Sequence, residues 1–248
     1  MPRLLDIDAG LSKADNFKKG QVILIDKPLE WTSFDVVKKI RYLIGIKKIG
    51  HAGTLDPLAT GMLILCTGKQ TKSIEQYMAD EKEYTGTFTI GQTTPSYDLE
   101  TEPSPPADIS HISNEMLLEA SEQFKGSIEQ YPPMHSAIKV DGQRLYKLAR
   151  KGKTVELKAR SVNISEFEIV KVDLPVVGFR IVCSKGTYIR SLAHDFGQAL
   201  GVGAHLSSLR RTRIGSQTID QAWPLNDFID YVKQLAADLP PAENATKG

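Results

Sequence analysis

The sequence predicts an α+β fold, in which a mixed, mainly antiparallel β-sheet has flanking helices and a protruding basic insertion. Residues 83–92 alternate between polar and apolar side chains, which is typical of a half-buried strand. Segments 161–173 and 176–184 have the same character and only a short turn between them, so we expect paired strands. Segments 34–44 and 188–200 place apolar residues three or four positions apart before a glycine, which predicts amphipathic helices.

The remaining elements follow from the same patterns. Apolar runs predict strands at 20–28, 62–66 and 204–214, and helical spacing predicts helices at 71–79, 115–124 and 226–236. Ser33 is the expected N-cap of the first long helix. Residues 93–110 are rich in proline and acidic side chains, so we expect an irregular surface connection without chemistry.

Composition narrows the function classes without selecting one. The chain has 248 residues, of which 41% are hydrophobic and 25% charged, as is ordinary for one large or two modest globular domains. Its net charge of +1 gives no global attraction to nucleic acid, so only the local placement of charge could support such binding. No apolar stretch approaches the length of a membrane span, and residues 1–19 lack the apolar region typical of a signal peptide. We therefore expect a cytoplasmic monomer without membrane contact.

The two cysteines do not indicate chemistry. Cys66 and Cys183 both lie in apolar, strand-like runs, where cysteine packs as a small hydrophobic residue. Neither a disulfide framework nor a metal-ligand spacing is present, so we expect no metal and no organic cofactor.

One carboxylate is isolated in a glycine-bracketed run. Asp56 lies within Gly50–Gly61 (GHAGTLDPLATG), among glycines, threonines and short apolar residues. Asp before Pro is a common helix start, so a structural cap is one interpretation. The residues that follow form a poor helix and lead into a buried strand, which places Asp56 on a loop where scaffolds often carry catalytic groups. The local sequence leaves both interpretations open.

The run Gly50–Gly61 closely resembles the catalytic motif of the bacterial tRNA pseudouridine synthase B family, Gly-His-x-Gly-x-Leu-Asp-Pro-x-Ala-x-Gly. The resemblance implies the pseudouridine synthase fold and makes Asp56 the nucleophile that isomerises uridine 55 in the T-loop of tRNA. His51 within the motif is then expected to position RNA or substrate, although a lone histidine is more often structural.

Three further segments resemble motifs of the family. Lys27 alone would be a solvated turn lysine, but it lies in an Asp-Lys-Pro turn followed by Thr-Ser, which implies a substrate-binding role. Tyr84 alone would be a core tyrosine, and its Lys-Glu-Tyr context matches the tyrosine that packs against the target base. By resemblance to a Leu-Arg-Arg motif, Leu209 should line the base pocket while Arg211 reaches the phosphates.

Tyr188 and Arg190 fall in the first turn of a predicted helix. A cation is disfavoured at a helix N-terminus, so Arg190 requires an anion, and Asp56 is the partner that we expect. The run Gly186–Arg190 also resembles a family motif whose arginine pairs with the nucleophile and whose tyrosine lies against the uracil. Tyr188 is a candidate for the group that transfers the proton from C5 of the uracil.

A basic segment supplies the expected grip on RNA. Between Lys139 and Arg160 there are eight basic residues against two acidic ones, interleaved with aromatic and small polar side chains. Such a run is either a solvated face or an element that binds phosphates and unstacked bases. It resembles the RNA-clasping insertion of the family, at about residues 130–152, and the expected RNA-binding side chains are Lys139, Arg144, Lys147, Arg150 and Lys151.

The resemblance also sets the expected domains and the rival functions. We expect an N-terminal extension (1–19), a catalytic domain (20–236) and a polar tail (237–248), without the C-terminal RNA-binding domain that many relatives carry. Glu30 stands where the family usually has glycine. The rivals are a catalytically silent RNA-binding module and a nucleoside hydrolase, and the latter would need a metal-binding acidic cluster that the sequence lacks.

Overall fold

The computed structural model describes residues 2–135, 139–140, 143–145 and 157–241. The chain divides into two compact units. Unit 1 comprises Met1–Asp80 and Arg210–Gly248, and unit 2 comprises Glu81–Leu209.

The structure contains both helices and strands. The described α-helices are α1 (Lys13–Lys19), α2 (Ser33–Ile44), α3 (Ile74–Ala79), α4 (Asn114–Glu122), α5 (Ile189–Ala199) and α6 (Leu225–Asp238). The described strands are β1 (Val22–Lys27), β2 (Ile49–His51), β3 (Ala59–Thr67), β4 (Lys82–Ile90), β5 (Gly126–Gln130), β6 (Lys139–Val140), β7 (Gln143–Arg144), β8 (Arg160–Asp173), β9 (Val176–Cys183), β10 (Ala204–Ile214), β11 (Gln217–Thr218) and β12 (Trp223–Pro224). Short 3₁₀ helices lie at Gly68–Ser73 and Ile219–Gln221.

Unit 1 is built on strands β1 and β3, which are buried on both faces. Strand β1 pairs with β3 in antiparallel fashion and with β12 in parallel, so the sheet is mixed. Ile23 and Ile25 of β1 pack under α2 and α6, while Leu24 joins a second cluster with Met62 and Ile64. This alternation explains why both strands read as continuous apolar runs rather than as polar–apolar repeats. Phe17 of α1 is buried in the first cluster, so this part of the predicted N-terminal extension packs into unit 1.

Unit 2 is built on the antiparallel strand order β4-β9-β8-β5. Its core contains a group of phenylalanines, in which Phe88 stacks on Phe179 with ring centroids 4.3 Å apart and Phe196 of α5 lies 5.6 Å from Phe88. Stacked and tilted aromatic contacts of this kind bury large apolar areas. The α+β fold class and the mainly antiparallel sheet predicted from the sequence are therefore confirmed.

The predicted elements are found with small shifts at their ends. The helix predicted at 71–79 begins as the 3₁₀ turn Gly68–Ser73 before α3. Within the described residues, no helix combines the length and the apolar character needed to cross a membrane.

Candidate active site

Asp56 lies on the loop between β2 and β3 of unit 1 and is partly buried. A turn at Pro57–Leu58 follows it, and the Ala59 amide donates to the Asp56 carbonyl at 3.1 Å as β3 begins. No helix starts here, so the helix-cap interpretation of Asp56 is wrong and the loop-before-strand interpretation is confirmed.

The N-terminus of α2 anchors this loop. The Ser33 hydroxyl donates to the Leu55 carbonyl at 3.1 Å and accepts from the Leu55 amide at 2.8 Å. Because its hydroxyl is engaged by the loop, Ser33 is not the N-cap that the sequence predicted. Thr32 caps the helix instead, in a reciprocal capping box with Asp35.

Lys27 is fully buried, which corrects the expectation of a solvated turn lysine, and its substrate-binding role stays a prediction. Its ammonium donates to the carbonyls of Pro28 (2.9 Å), Trp31 (2.5 Å) and Pro57 (3.4 Å). Burial lowers the pKa of Lys27 to about 8, and the negative charge of Asp56 opposes that shift. Lys27 thus joins the turn after β1 to the residue that follows Asp56.

Arg211 is also buried, with 1% of its surface exposed. Its Nε donates to the Met62 carbonyl at 2.8 Å and its Nη2 to the Gly53 carbonyl at 3.2 Å. These donors hold β3 and the Asp56 loop inside unit 1, and the expected contact of Arg211 with phosphates stays a prediction. Gly61 permits this packing, since a Cβ there would lie 2.3 Å from the Arg211 carbonyl oxygen.

His51 lies at the start of the same loop and is partly buried. Burial lowers its pKa, the Arg211 charge lowers it further, and a hydrogen bond with the Gly53 backbone acts in the opposite direction. His51 is therefore neutral at pH 7, a state suited to hydrogen bonding rather than to binding a phosphate by charge.

In unit 2, Arg190 is 4% exposed and forms an ion pair with Asp98 at 3.5 Å. Its guanidinium also donates to the carbonyls of Ser96 (3.4 Å) and His135 (3.1 Å). The sequence predicted that Arg190 needs an anion, and it missed Asp98 as one of its partners. Residues 93–110, which we expected to be a connection without chemistry, supply this carboxylate.

Tyr188 precedes the first turn of α5 and is held through its backbone. Gln130, which is 2% exposed, accepts from the Tyr188 amide at 2.7 Å and donates to its carbonyl at 3.1 Å. Gln130 was not among the predicted site residues, because the contact depends on the end of β5 meeting the start of α5. Tyr84 is 9% exposed on β4, opposite Ile181 of β9, and Leu209 of β10 is partly exposed.

The predicted basic insertion is described only in part. Lys139 and Arg144 lie opposite each other in the short antiparallel pair β6–β7. Lys147, Arg150 and Lys151 lie outside the described residues, as does most of the predicted polar tail.

The titratable groups of the described residues do not form a metal-binding site. Among the described residues, no three His, Cys, Asp or Glu side chains are grouped so that they could hold a metal ion. Cys66 and Cys183 are buried, and burial raises their pKa to about 11 and about 12, so both are neutral thiols. Their packing agrees with the role predicted from the sequence.

Sequence comparison identifies the class of protein. A sequence model described as TruB family pseudouridylate synthase (N terminal domain) matches residues 41–189, and one described as tRNA pseudouridylate synthase B C-terminal domain matches residues 190–246. The chain belongs to the TruB family of pseudouridylate synthases, and it is accordingly an isomerase that makes pseudouridine.

Individual relatives cover most of the chain. The tRNA pseudouridine synthase B of Flavobacterium johnsoniae is 54% identical over 86% of this chain and 96% of its own length. That of Phocaeicola vulgatus is 53% identical over 88% of this chain and 96% of its own length.

Solved structures agree with the fold. A chain of a Cbf5-Nop10-Gar1 complex matches with a TM-score of 0.70 and 29% identity, covering 95% of this chain and 65% of that chain. A chain of an H/ACA RNP bound to a substrate RNA matches with a TM-score of 0.68 and 26% identity, covering 96% of this chain and 63% of that chain. This chain thus spans just under two thirds of those chains.

Proposed function

We propose that the enzyme converts uridine 55 in the T-loop of tRNA to pseudouridine, with Asp56 as the reacting carboxylate. The observation that carries the proposal is the construction of the Asp56 loop. Its carbonyls at Gly53 and Pro57 are held by the buried cations of Arg211 and Lys27, so a partly buried carboxylate is presented on a rigid support. The names of the close relatives support tRNA as the substrate.

The reaction itself defines what the site must supply. The bond from C1′ to N1 of uridine breaks and a bond from C1′ to C5 forms, while C5 gives up a proton and N1 gains one. The base must first leave its stack, which costs a few kcal/mol and least in a loop. Atoms and electrons balance within the nucleotide, so the isomerisation requires no oxidant, reductant or hydrolytic water.

We assign the roles as follows. Asp56 acts on the sugar or the base as a carboxylate nucleophile. Tyr84 and Tyr188 hold the detached uracil, Leu209 lines its pocket, and Tyr188 moves the C5 proton. His51 positions the RNA as a neutral hydrogen-bonding group. Arg190 supplies positive charge to the reaction, and the buried Asp98 contact fixes the position of its guanidinium.

The basic insertion supplies the grip on RNA. Lys139, Arg144, Lys147, Arg150 and Lys151 bind the phosphates of the T-stem and loop. We further propose that the protein is a monomer and acts in the cytoplasm, where unmodified tRNA is present.

The proposal is tested by incubating the purified protein with unmodified tRNA, without added metal, and mapping pseudouridine by sequencing. We expect modification at position 55, and none when that uridine is replaced by cytidine. Modification only at another position would overturn the site assignment. Release of free uracil would indicate a nucleoside hydrolase, and tRNA binding without any modification would indicate a silent RNA-binding module.

A further inference from the structure

A basic and aromatic groove lies in unit 1 beside the Asp56 loop. It has a volume of about 870 Å³ and is lined by the turn after β1, the solvent side of α2 and the residues that follow that helix. Its lining includes Trp31, Lys38, Lys39, Arg41, Tyr42 and Lys47. Apart from the Trp31 carbonyl, which accepts from Lys27, none of these residues has a role in the site proposed above.

We propose that this groove, termed here the α2 groove, binds a segment of the RNA substrate away from the reacting uridine. The inference rests on the proposed function in one respect, namely that the ligand is the same tRNA. It adds a second contact site, which is carried by unit 1 alone.

The charges of the α2 groove favour a polyanion. Lys38, Lys39 and Lys47 are exposed, and among the described residues none of them forms an ion pair with a carboxylate. Arg41 lies among them, and its Nε is buried without a hydrogen-bond partner in the described part of the chain. The Arg41 guanidinium adds a fourth positive charge, and guanidinium groups bind phosphate oxygens strongly.

The acidic residues of the groove cancel only part of this positive charge. Asp35 accepts hydrogen bonds from the amide and hydroxyl of Thr32, and these bonds lower its pKa. Its carboxylate is therefore charged, and the Lys38 charge contributes to lowering its pKa. Glu30 is the other acid in the lining. Four cations therefore face two acids, one of which serves as a helix cap.

The rings of the groove favour a nucleic acid over an acidic protein. Tyr42 is 90% exposed on α2, an unusual position for a large aromatic residue, and Trp31 is partly buried in the same lining. An exposed ring between lysines offers a stacking surface for an unpaired base while the ammonium groups bind the adjacent phosphates. An acidic peptide would use the cations and leave the Tyr42 ring in water.

The groove is physically joined to the Asp56 loop. At one end of the groove, the Glu30 amide donates to the Pro57 carbonyl of that loop (2.9 Å). The Trp31 carbonyl accepts from Lys27 (2.5 Å), which also donates to Pro57. Tyr42 lies nine residues beyond Ser33, which corresponds to about 13 Å along the helix. An RNA strand with a nucleotide at Asp56 is therefore long enough to reach Tyr42 with its neighbouring nucleotides.

The test compares two triple variants of the full chain that lose the same charge. Lys38→Ala/Lys39→Ala/Lys47→Ala removes the groove lysines, whereas Lys18→Ala/Lys19→Ala/Lys233→Ala removes exposed lysines of unit 1 that are ion-paired. The dissociation constant for an unmodified tRNA transcript is measured at several salt concentrations, and melting temperatures verify folding. A Tyr42→Ala variant is measured alongside.

We expect the groove variant to bind tRNA about tenfold more weakly and to reduce the slope of log K against log salt by about 2. The control should stay within about twofold of the wild type. Tyr42→Ala should lose about fivefold with an unchanged slope, because stacking releases no counterions. Equal behaviour of the groove and control variants, with no effect of Tyr42→Ala, would overturn the inference.

Failure of the inference is distinguishable from failure of the proposed function. If the wild type makes pseudouridine at position 55 while the groove variants bind like the control, only the groove assignment falls. If the wild type makes no pseudouridine but the groove variants lose tRNA affinity relative to the control, the proposed function falls and the groove stands. A wild type that neither binds nor modifies tRNA contradicts both.

Discussion

The Asp56 loop of unit 1 and the Tyr97–Asp98 segment of unit 2 share a feature of backbone conformation and differ in the partners of their buried cations. Each involves a non-glycine residue in the left-handed region, Glu30 and Tyr97, both with φ of 65°. The Glu30 amide supports the residue after Asp56, and Tyr97 directly precedes Asp98. Strained backbone of this kind is typical of functional sites.

The difference lies in how the buried cations are satisfied. In unit 1, Lys27 and Arg211 donate to main-chain carbonyls. In unit 2, Arg190 donates to carbonyls and also faces the carboxylate of Asp98. Neutral carbonyls remain in place when a side chain nearby is changed, whereas a buried ion pair fails when either partner is neutralised. The main-chain contacts of Lys27 and Arg211 should therefore survive a change at the Asp56 side chain, whereas the contact between Arg190 and Asp98 is lost when Asp98 is neutralised.

The largest expected effect on stability is in unit 2. Asp98→Asn removes the charge that faces the buried Arg190 guanidinium, and breaking such a pair costs about 3–5 kcal/mol. Urea denaturation should show this loss in the free energy of unfolding. Asp173→Asn, at an exposed carboxylate of the same unit, is the control and should change stability by less than about 0.5 kcal/mol. An Asp98→Asn protein as stable as this control would contradict the comparison.

Lys27→Met should destabilise unit 1 by a smaller amount, about 1–3 kcal/mol. The substitution leaves the carbonyls of Pro28, Trp31 and Pro57 without their donor, but it also removes a buried charge. The same denaturation experiment measures the loss. A loss of stability larger than that of Asp98→Asn would contradict the predicted order of the two effects.

The titration of Lys27 gives a pH test of the same loop. Its folded pKa is about 8, below the ordinary value of 10.5, so between these values the unfolded chain binds one more proton than the folded chain. The free energy of unfolding of the wild type, relative to Lys27→Met, should therefore rise with pH across that window and stay flat below it. A flat difference from pH 7 to 10 would show that Lys27 is not perturbed.

Asp56→Asn extends this test, because the Asp56 charge holds the Lys27 pKa up against burial. In that variant the Lys27 pKa should fall further below 8. NMR titration of the Lys27 side chain measures the shift directly. An unchanged Lys27 pKa would show that the Asp56 charge does not influence Lys27.

The smallest expected effect concerns the strained residues. Glu30→Gly should stabilise the protein by about 0.5–1 kcal/mol, because glycine adopts φ of 65° without steric cost. The greater entropy of glycine in the unfolded chain offsets part of that gain. Tyr97→Gly should destabilise it, since the Tyr97 ring stacks on His194 with centroids 4.1 Å apart. Thermal melting of both variants tests the contrast, and shifts of the same sign would contradict it.

The sequence predicted most of the fold because the strands and helices carry clear periodic patterns. Residues 83–92 showed their alternation, and β1 and β3 were recognisable as apolar runs although they are buried on both faces. The burial of Lys27 and Arg211 was not predictable, since it depends on carbonyls of Pro57 and Gly53 that only the folded loop brings to them.

Parts of the site were predictable where the local sequence implied a physical requirement. The helix N-terminus at Arg190 required an anion, but the identity of Asp98 depends on the path of a proline-rich segment that has no periodicity. Ser33 was noticed as a helix cap, and its actual partner, Leu55, comes from tertiary packing. Motif resemblance supplied Asp56, whose loop position the structure then confirmed.

The central claim is that the Asp56 carboxylate carries out the isomerisation, and a single-turnover assay of Asp56→Asn on unmodified tRNA tests it most directly. We predict a rate of pseudouridine formation at least about 10⁴-fold below that of the wild type. Because main-chain contacts hold the loop, folding and tRNA affinity should be retained. A rate within about tenfold of the wild type would contradict the account.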